Sequence, residues 1–492
     1  MSSLLKQIKT NHIILAFVLF VTFLFRFPSL FEPFWYGDEG IFAAVGRNLN
    51  FGGVLYQTAW DNKPPMIFLT YQNIFNIFGV SMFWLRLVCA ITVLCTSVAI
   101  YKIAQRIYGE NRALVAAFAF GLLTSLRVIE GNLALTEIFM IFPISVGMMI
   151  AVARKFDLKS VFFAGLLIAI GSLYKQVGAL EAGALGIFLF LSAKNFKEFF
   201  KKGLLLSAGF ALPYLIAISY FGFKGILGEY IFAAYTYYRI YLGESPQYAL
   251  LINILKYLPI LAAVLYGLRK KMAGKVDVFH LILLWCAFSF LGSYFSGRAY
   301  GHYMIQAAPA VALLVAGITL KFKFKLEQLV FGVIFFGSLF FLTKLLFSDF
   351  YTQVPQSQIK YWQNFVDFST GRKNVSEYNN FFDGNVNTIM ALSDFFTTSG
   401  IKGTSAYICG DYPWLYAISA LKNPSRYVTS FHVFGVPEGK EEVIASLEAN
   451  PPKIIIKPEN SIGYFEELEN FIFGQYTLVS QVENSQVFVK ED

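Results

Sequence analysis

Long runs of apolar residues alternate with short polar stretches along the first 347 positions of the chain. Each run has about twenty residues, enough for a helix to cross a hydrocarbon core of roughly 30 Å. We therefore predict a polytopic α-helical membrane protein with about eleven transmembrane helices. They lie near 11–31, 80–101, 113–129, 137–153, 160–174, 179–193, 203–221, 249–268, 277–295, 302–320 and 327–347.

The pattern changes at Ser348-Asp349, where the last apolar run ends. Short β-like runs follow at "SAYICG", "KIIIKP", "YTLVSQV" and "QVFVK", with helix-like stretches at 383–400, 412–421 and 438–449. Such alternation indicates a soluble α/β domain. We predict a transmembrane domain over 1–347, with external loops at about 32–79, 127–137 and 222–248, and an extracytoplasmic α/β domain over 348–492.

The distribution of charge predicts the orientation in the membrane. Short cytoplasmic loops are rich in Lys and Arg, and every second connection between the predicted helices has this composition. The amino terminus is then inside, and eleven crossings leave the carboxyl terminus outside. The net charge of +9 comes mostly from residues 1–347, which hold 30 Lys and Arg against 14 Asp and Glu. We therefore predict a multi-pass protein of the cell membrane and no nucleic-acid partner.

An acidic pair stands out in the first external loop, in "FWYGDEGIF". The following "DEGIFAAVGRNLN" has apolar residues at helical spacing, which predicts a short interfacial helix with Asp38 and Glu39 at its amino end. The pair has two interpretations. In the first, Asp38 caps the helix and Glu39 interacts favourably with the helix dipole. In the second, the two carboxylates take part in catalysis.

The same loop continues with "WDNKPPMIF", where two prolines follow Lys63. A fixed ammonium at headgroup level is able to bind a phosphate. The alternative is a lysine that extends to the membrane surface within an aromatic belt. Arg47 and Arg298 are also predicted near the outer surface, together with Arg86 and Arg127.

Further candidates lie in the other external segments. Glu137 follows Thr136 at the start of the fourth predicted span, where Thr136 as a cap is the structural alternative. Lys175 ends the fifth span, and in "GRAYGHYMIQAAP" a helix would place Arg298 and His302 on one face. The remaining candidate substrate-binding residues are Tyr238, Arg239 and Tyr303, for which an aromatic interface belt is the alternative.

Several motifs are missing from the sequence. It contains no D-x-D triplet, no G-x-G-x-x-G and no complete P-loop, and its four histidines are scattered. A nucleotide-sugar site and a zinc site are therefore not indicated. A donor that reaches an outer site must come through the lipid phase.

Taken in order, "GDEG", "NKPP", "FGVSMFWLRL", "GRAYGHYMIQAAPAVALL" and "ICGDYPWLYAISALKNPSRYV" resemble a known family. They are similar to the GT-C glycosyltransferases of the protein O-mannosyltransferase and aminoarabinose-transferase-like group. The resemblance implies inverting transfer of one sugar from a polyprenyl-phosphate carrier to an acceptor hydroxyl outside the cytoplasm. It implies Asp38 as catalytic base, Glu39 as its partner, Glu137 as a second acid and Lys63 as a phosphate ligand.

One position departs from the family pattern. Some relatives have an acid before K-P-P that helps to hold a metal, and Asn62 stands there in this chain. The sequence thus assigns no metal ligand and does not decide whether the protein requires a divalent cation. The acceptor is equally open between a lipid, a polysaccharide and a protein. Two other functions are compatible with the pattern: a polyprenyl-phosphate transporter or flippase, and a membrane scaffold with a partner-binding tail.

Overall fold

The structure is a computed structural model that describes residues 2–242, 253–318, 326–346, 350–459 and 463–490. Some predicted features lie outside these residues: the boundary at Ser348-Asp349, positions 243–248 of the third external loop, and the start of the span at 249–268. The described chain forms two compact units, each built from separate stretches of sequence. The first unit contains Met1–Ser29, Arg86–Tyr220 and Glu244–Tyr361, and the second contains Leu30–Leu85, Phe221–Gly243 and Trp362–Asp492.

The first unit is built from apolar helices. Among the described residues, five stretches are long and apolar enough to cross a membrane: Asn11–Phe31, Met82–Tyr108, Thr136–Ala153, Phe196–Phe223 and Leu326–Leu346. Shorter apolar helices are Leu158–Ser172, Gln176–Ser192, Val278–Tyr294 and Gly301–Gly317. The helices Glu110–Leu123 and Leu258–Met272 occupy two further predicted runs. The apolar pattern thus predicted helices where the structure has them, and the number of crossings stays a prediction.

Small residues allow the helices of the first unit to approach closely. A methyl group on Gly165, in helix Leu158–Ser172, would lie 2.2 Å from the carbonyl oxygen of Leu206. One on Gly209, in helix Phe196–Phe223, would lie 2.0 Å from the carbonyl oxygen of Phe162. Small residues at such contacts let membrane helices gain van der Waals packing without a hydrophobic driving force.

Buried arginines organise the second external loop within the first unit. Arg26 donates from Nη1 to the carbonyl oxygens of Thr124 and Gly131, each at 2.6 Å. Arg86 donates from Nη1 to the carbonyl oxygen of Asn132 at 2.8 Å. Arg86 therefore has a structural role that the sequence analysis did not assign to it.

The second unit contains a four-stranded sheet. Its strands are β1 (Ala406–Ile408), β2 (Ile454–Pro458), β3 (Tyr476–Val482) and β4 (Ser485–Lys490). The order is β1-β2-β4-β3, with β1 parallel to β2 and the other pairs antiparallel. Strands β1, β2 and β3 lie within the predicted β-like runs, and β4 begins one residue before its run. Helices of this part include Val375–Asn380, Val386–Thr398, Pro413–Ile418, Ser430–Gly435, Gly439–Ala449 and Glu466–Gln475.

The second unit also holds the first external loop, which forms two helices. The predicted helix is present as Gly37–Asn50. A second helix, Met66–Phe78, begins directly after the two prolines and was not predicted. The first helix packs on the second, and on Pro413–Ile418 of the C-terminal segment. Trp414 Nε1 donates to the carbonyl oxygen of Tyr36 at 3.0 Å.

Gly40 makes this packing possible. A methyl group at residue 40 would lie 2.8 Å from Pro413 Cγ and 2.8 Å from Trp414 Cδ1, whereas one at residue 37 has nothing within 4 Å. We expect Gly40→Ala to destabilise the protein by about 1–3 kcal/mol through overpacking. Gly37→Ala is the matched control and should be neutral. Thermal unfolding of the purified variants measures the difference, and equal melting temperatures would contradict this role for Gly40.

Candidate functional site

The acidic pair lies in the first turn of helix Gly37–Asn50. The N-cap residue is Tyr36, and no side chain caps this end. The interpretation of Asp38 as an N-cap is therefore wrong, because Asp38 is the second residue of the helix. Asp38 is half-buried and Glu39 is fully buried. Both positions still suit the positive end of the helix dipole, and the part-exposed carboxylate is that of Asp38.

Lys63 and Asp61 lie together at the start of the second helix of this loop. The Lys63 ammonium donates to Asn62 Oδ1 at 2.6 Å and lies 4.0 Å from Asp61 Oδ1. Asp61 Oδ1 also accepts the backbone N–H of Asn62 at 2.7 Å. The carboxylate is buried, while the Lys63 side chain is 16% exposed. Lys63 is thus held beside a carboxylate, and its position differs from that of a lysine that reaches freely into water.

A histidine of the C-terminal segment completes this cluster. His432 Nε2 lies 3.4 Å from Asp61 Oδ1, and both side chains are 2% exposed. The His432 ring packs edge-on against Trp60, with 4.9 Å between ring centroids. Trp60 also contacts the ring of Tyr237 at 5.0 Å. The sequence analysis singled out the neighbouring Tyr238, which is half-buried, and Arg239, which is exposed.

Burial shifts the pKa of both Asp61 and His432. It raises the pKa of Asp61 above its ordinary value, against the lowering effect of the Lys63 ammonium. It lowers the pKa of His432 from 6.5 to about 3; Lys63 lowers that pKa further, whereas the Asp38 carboxylate acts in the opposite direction. His432 is therefore a neutral imidazole near pH 7, since its folded pKa lies far below that pH. The carboxylate of Asp38 and the ammonium of Lys63 both act on this one imidazole.

A second cluster forms within the first unit, around Glu137. The Lys175 ammonium is bonded to Glu137 Oε1, and Thr136 Oγ1 donates to Glu137 Oε2 at 2.8 Å. The N-cap residue of helix Thr136–Ala153 is Leu135, so the prediction of Thr136 as a cap is wrong. The Lys175 side chain is 9% exposed, and its ammonium lies 3.6 Å from the ring centroid of Tyr303. Lys175 is therefore held in a buried ion pair and does not extend to the membrane surface.

His302 joins this cluster from the short helix Gly301–Ala307. Its Nδ1 is bonded to Glu130 Oε2, and its Nε2 lies 3.9 Å from Glu137 Oε1. Arg298 precedes this helix in irregular backbone, so the prediction that Arg298 and His302 share a helical face is wrong. Arg47, in the last turn of Gly37–Asn50, lies 4.7 Å from the ring centroid of Phe51.

Three titratable members of these clusters, Asp61, Glu130 and His432, are not among the predicted site residues. Asp61 stands two residues before Lys63, and that spacing was the available signal for it. His432 carries no local motif, and Glu130 is linked to His302 over 172 positions. Distant pairs of this kind are decided by the fold, so neighbouring residues contain no signal for them.

The donor set does not fit a divalent cation. Within the described ranges, no group of three or more His, Cys, Asp or Glu side chains is placed to hold a metal ion. Asn62 occupies the position before Lys63, and the ammonium of Lys63 lies beside Asp61. We therefore describe no chemical step through a metal.

Comparisons with known proteins agree with the predicted resemblance. The sequence model of the family described as dolichyl-phosphate-mannose-protein mannosyltransferase matches residues 62–221. Crystal structures of ArnT from Cupriavidus metallidurans superpose on the chain with a TM-score of 0.58 in the apo state and 0.55 bound to undecaprenyl phosphate. Both are 14% identical to this chain in sequence. The alignment with the apo structure covers 96% of this chain and 97% of ArnT, and the alignment with the bound structure covers 98% of each.

The chain therefore has a fold like that of the ArnT structures, and its apolar helices are those of a multi-pass membrane protein. The resemblance to the GT-C glycosyltransferases is thereby confirmed. Two uncharacterized proteins of Aquifex aeolicus (strain VF5) are each 25% identical to this chain. The matches cover 51% and 60% of this chain and 59% and 62% of those relatives, so the chain spans less than two thirds of their length.

Proposed function

We propose that the protein is an integral membrane glycosyltransferase. It moves a single sugar from a polyprenyl-phosphate carrier to an acceptor hydroxyl on the extracytoplasmic side, with inversion. The observation that carries this proposal lies in the second unit, where helix Gly37–Asn50 holds the part-exposed carboxylate of Asp38 in its first turn, and the Lys63 ammonium lies 4.0 Å from Asp61, which faces His432. The family match over residues 62–221 and the undecaprenyl phosphate bound by the ArnT structure support a lipid-phosphate donor.

In the proposed reaction, the acceptor oxygen attacks the anomeric carbon of the sugar and the bond from that carbon to the phosphate oxygen breaks. The acceptor hydroxyl gives its proton to the carboxylate of Asp38. The polyprenyl phosphate leaves with the electron pair of the broken bond. A positioned base contributes typically 10²–10⁴-fold to such a step, and the Lys63 ammonium stabilises the departing phosphate at little reorganisation cost.

We assign a different role to Glu137 from the one that the resemblance implies. Its carboxylate is already bonded to Lys175 and Thr136, so neither oxygen is as accessible to an acceptor as that of Asp38. We propose that Glu137 positions Lys175 and His302. Lys175 and His302 are then candidates for substrate contacts, together with Tyr303.

The transporter alternative has one observation in its favour. Glu181, in helix Leu180–Ser192, is buried and accepts hydrogen bonds from Ser289 Oγ at 2.8 Å and Gln306 Nε2 at 3.1 Å. Ionisable groups inside membrane helices are rare, and they often mark substrate or ion pathways in transporters. Purified protein with a panel of polyprenyl-phosphate sugars and acceptors separates the two functions. A transferase releases free polyprenyl phosphate and forms a glycosylated product, whereas a transporter only moves the intact lipid across a vesicle membrane.

The proposed orientation predicts that the carboxyl terminus is outside the cytoplasm. Helix parity and the distribution of Lys and Arg both lead to this result. A carboxyl-terminal reporter that is active only in the cytoplasm should be silent, and one that is active only outside should give a signal. The reverse pattern would place the Asp38 site on the cytoplasmic face and contradict the proposal.

Lys63→Ala should weaken binding of the lipid-phosphate donor about tenfold or more, because a charge-assisted contact to the phosphate is lost. Lys422→Ala is a matched control, since Lys422 is an exposed lysine of the same unit. Donor affinity can be measured by thermophoresis in detergent. Unchanged donor affinity in Lys63→Ala with continued transfer would remove Lys63 as phosphate ligand.

A further inference from the structure

Three side chains that contact one another in the second unit each have a buried polar atom without a hydrogen-bond partner among the described residues. The atoms are Trp60 Nε1, Asp61 Oδ2 and His432 Nδ1. The three side chains are 0%, 2% and 2% exposed. More than nine in ten buried polar groups in native proteins have a partner, so three neighbouring exceptions call for an explanation.

The other atoms of Asp61 and His432 hold these side chains in place. Asp61 Oδ1 accepts the backbone N–H of Asn62 and faces His432 Nε2, and the rings of Trp60 and His432 are in edge-on contact. The free atoms therefore belong to side chains whose orientation is already fixed by packing and by their second polar atom. A binding group that is held in this way is preorganised.

Such an arrangement is costly for the protein alone, because each unpaired buried polar group destabilises the fold. An apolar residue of similar shape at these positions would remove that cost. The arrangement is expected where a ligand supplies the missing hydrogen bonds.

The chemistry of the three atoms indicates the kind of ligand. The Trp60 indole only donates, and the Asp61 carboxylate oxygen accepts. His432 is neutral, and the contact of its Nε2 with Asp61 assigns the hydrogen to Nε2, which leaves Nδ1 as an acceptor. One donor and two acceptors match neighbouring sugar hydroxyls, each of which both donates and accepts. A phosphate does not match them, because it would face the Asp61 carboxylate.

The position of the cluster relates it to the donor. Asp61 Oδ1 lies 4.0 Å from the Lys63 ammonium. A sugar joined to a phosphate at Lys63 is within reach of the side chains next to that lysine. The aromatic faces of Trp60 and Tyr237 add an apolar wall, since their rings are 5.0 Å apart.

We propose that Trp60, Asp61 and His432 form a subsite for hydroxyl groups of the donor sugar, so that the C-terminal segment takes part in sugar recognition. This inference rests on the proposed function and adds a substrate-binding role for three residues. It gives His432, far from the first external loop in sequence, a direct contact with the donor.

The test compares two probes that differ only in the sugar. One is undecaprenyl phosphate; the other is undecaprenyl phosphate carrying mannose, glucose or 4-amino-4-deoxyarabinose, whichever the wild-type protein binds. The variants are Trp60→Phe, which removes the indole donor, and Asp61→Asn, which replaces one acceptor oxygen by an amide donor; both keep most of the shape. Asp394→Asn is the control, because Asp394 is exposed on helix Val386–Thr398 of the same unit.

We expect Asp61→Asn and Trp60→Phe to lose about tenfold in affinity for the sugar-bearing lipid, while their affinity for undecaprenyl phosphate stays at the wild-type value. The melting temperature without ligand should be unchanged or higher. Equal losses of affinity for both lipids would overturn the subsite. Unchanged affinity for both lipids in folded variants would also overturn it and would leave ordered water as the partner of the three atoms. A wild-type protein that binds undecaprenyl phosphate but none of the sugar-bearing lipids overturns the subsite alone. Failure to bind any of these lipids overturns the proposed function as well.

Discussion

Asp38→Asn should leave the protein folded and able to bind the donor, while sugar transfer falls by about 100-fold or more. Asn has nearly the size of Asp but is not a comparable base. The structure sharpens this expectation, because the N-cap of helix Gly37–Asn50 is Tyr36 and the loss of a cap no longer competes as an explanation. The remaining structural effect is the interaction of the charge with the helix dipole, about 0.3–1 kcal/mol.

Transfer and thermal stability should be measured for Asp38→Asn and Asp38→Ala beside the control Asp394→Asn. Both Asp38 variants should be almost inactive and close to wild type in melting temperature. Near-normal turnover in a folded Asp38→Asn protein would remove Asp38 as the base. Glu39 and Asp61, the buried carboxylates near it in the same unit, would then be the next to test.

Features with a local signal were predictable from the sequence. The helix Gly37–Asn50 follows from the spacing of its apolar residues, and the strands Ile454–Pro458 and Ser485–Lys490 follow from short runs of β-branched residues. The apolar runs similarly predicted the membrane helices. In each case the residues that decide the structure lie within a few positions of one another.

Capping was less predictable, although it is also local. Asp38 and Thr136 are both favoured N-cap types, yet the helices begin after Tyr36 and Leu135. Thr136 instead donates its hydroxyl to Glu137. Helix ends often shift by one or two residues, and such a shift moves a capping residue into the first turn.

The polar clusters required the fold. Asp61 meets His432 because the C-terminal segment and the first predicted external loop belong to one unit. In this unit the backbone N–H of Trp60 donates to the carbonyl oxygen of Arg426 at 2.9 Å. Glu130 meets His302 within the other unit. The sequence did indicate Lys63, Glu137, Lys175 and His302 as candidates. It contained no information on which of them pair with one another.

The pairing of Glu137 with Lys175 predicts the largest stability effect. Both side chains are buried, at 1% and 9% exposure, so removal of either partner leaves a buried charge without its counterion. Glu137→Gln and Lys175→Met should each destabilise the protein by about 3–5 kcal/mol. The double variant should recover most of the loss, because it contains neither charge. Arg154→Met is the control, since it breaks the exposed pair with Asp157 and should have little effect.

The same double-mutant cycle tests the role that we assign to Glu137. A positioning residue acts through Lys175, so the double variant should be stable, and its transfer rate should be no lower than that of Lys175→Met alone. A general base would give a different result: Glu137→Gln would abolish transfer, and the loss would persist in the stable double variant while Lys175→Met kept measurable activity. Melting temperatures and transfer rates of the four proteins distinguish these outcomes. If the double variant is as unstable as the single ones, the ion pair does not determine the stability of this cluster, and the bond from Thr136 to Glu137 becomes the interaction to test.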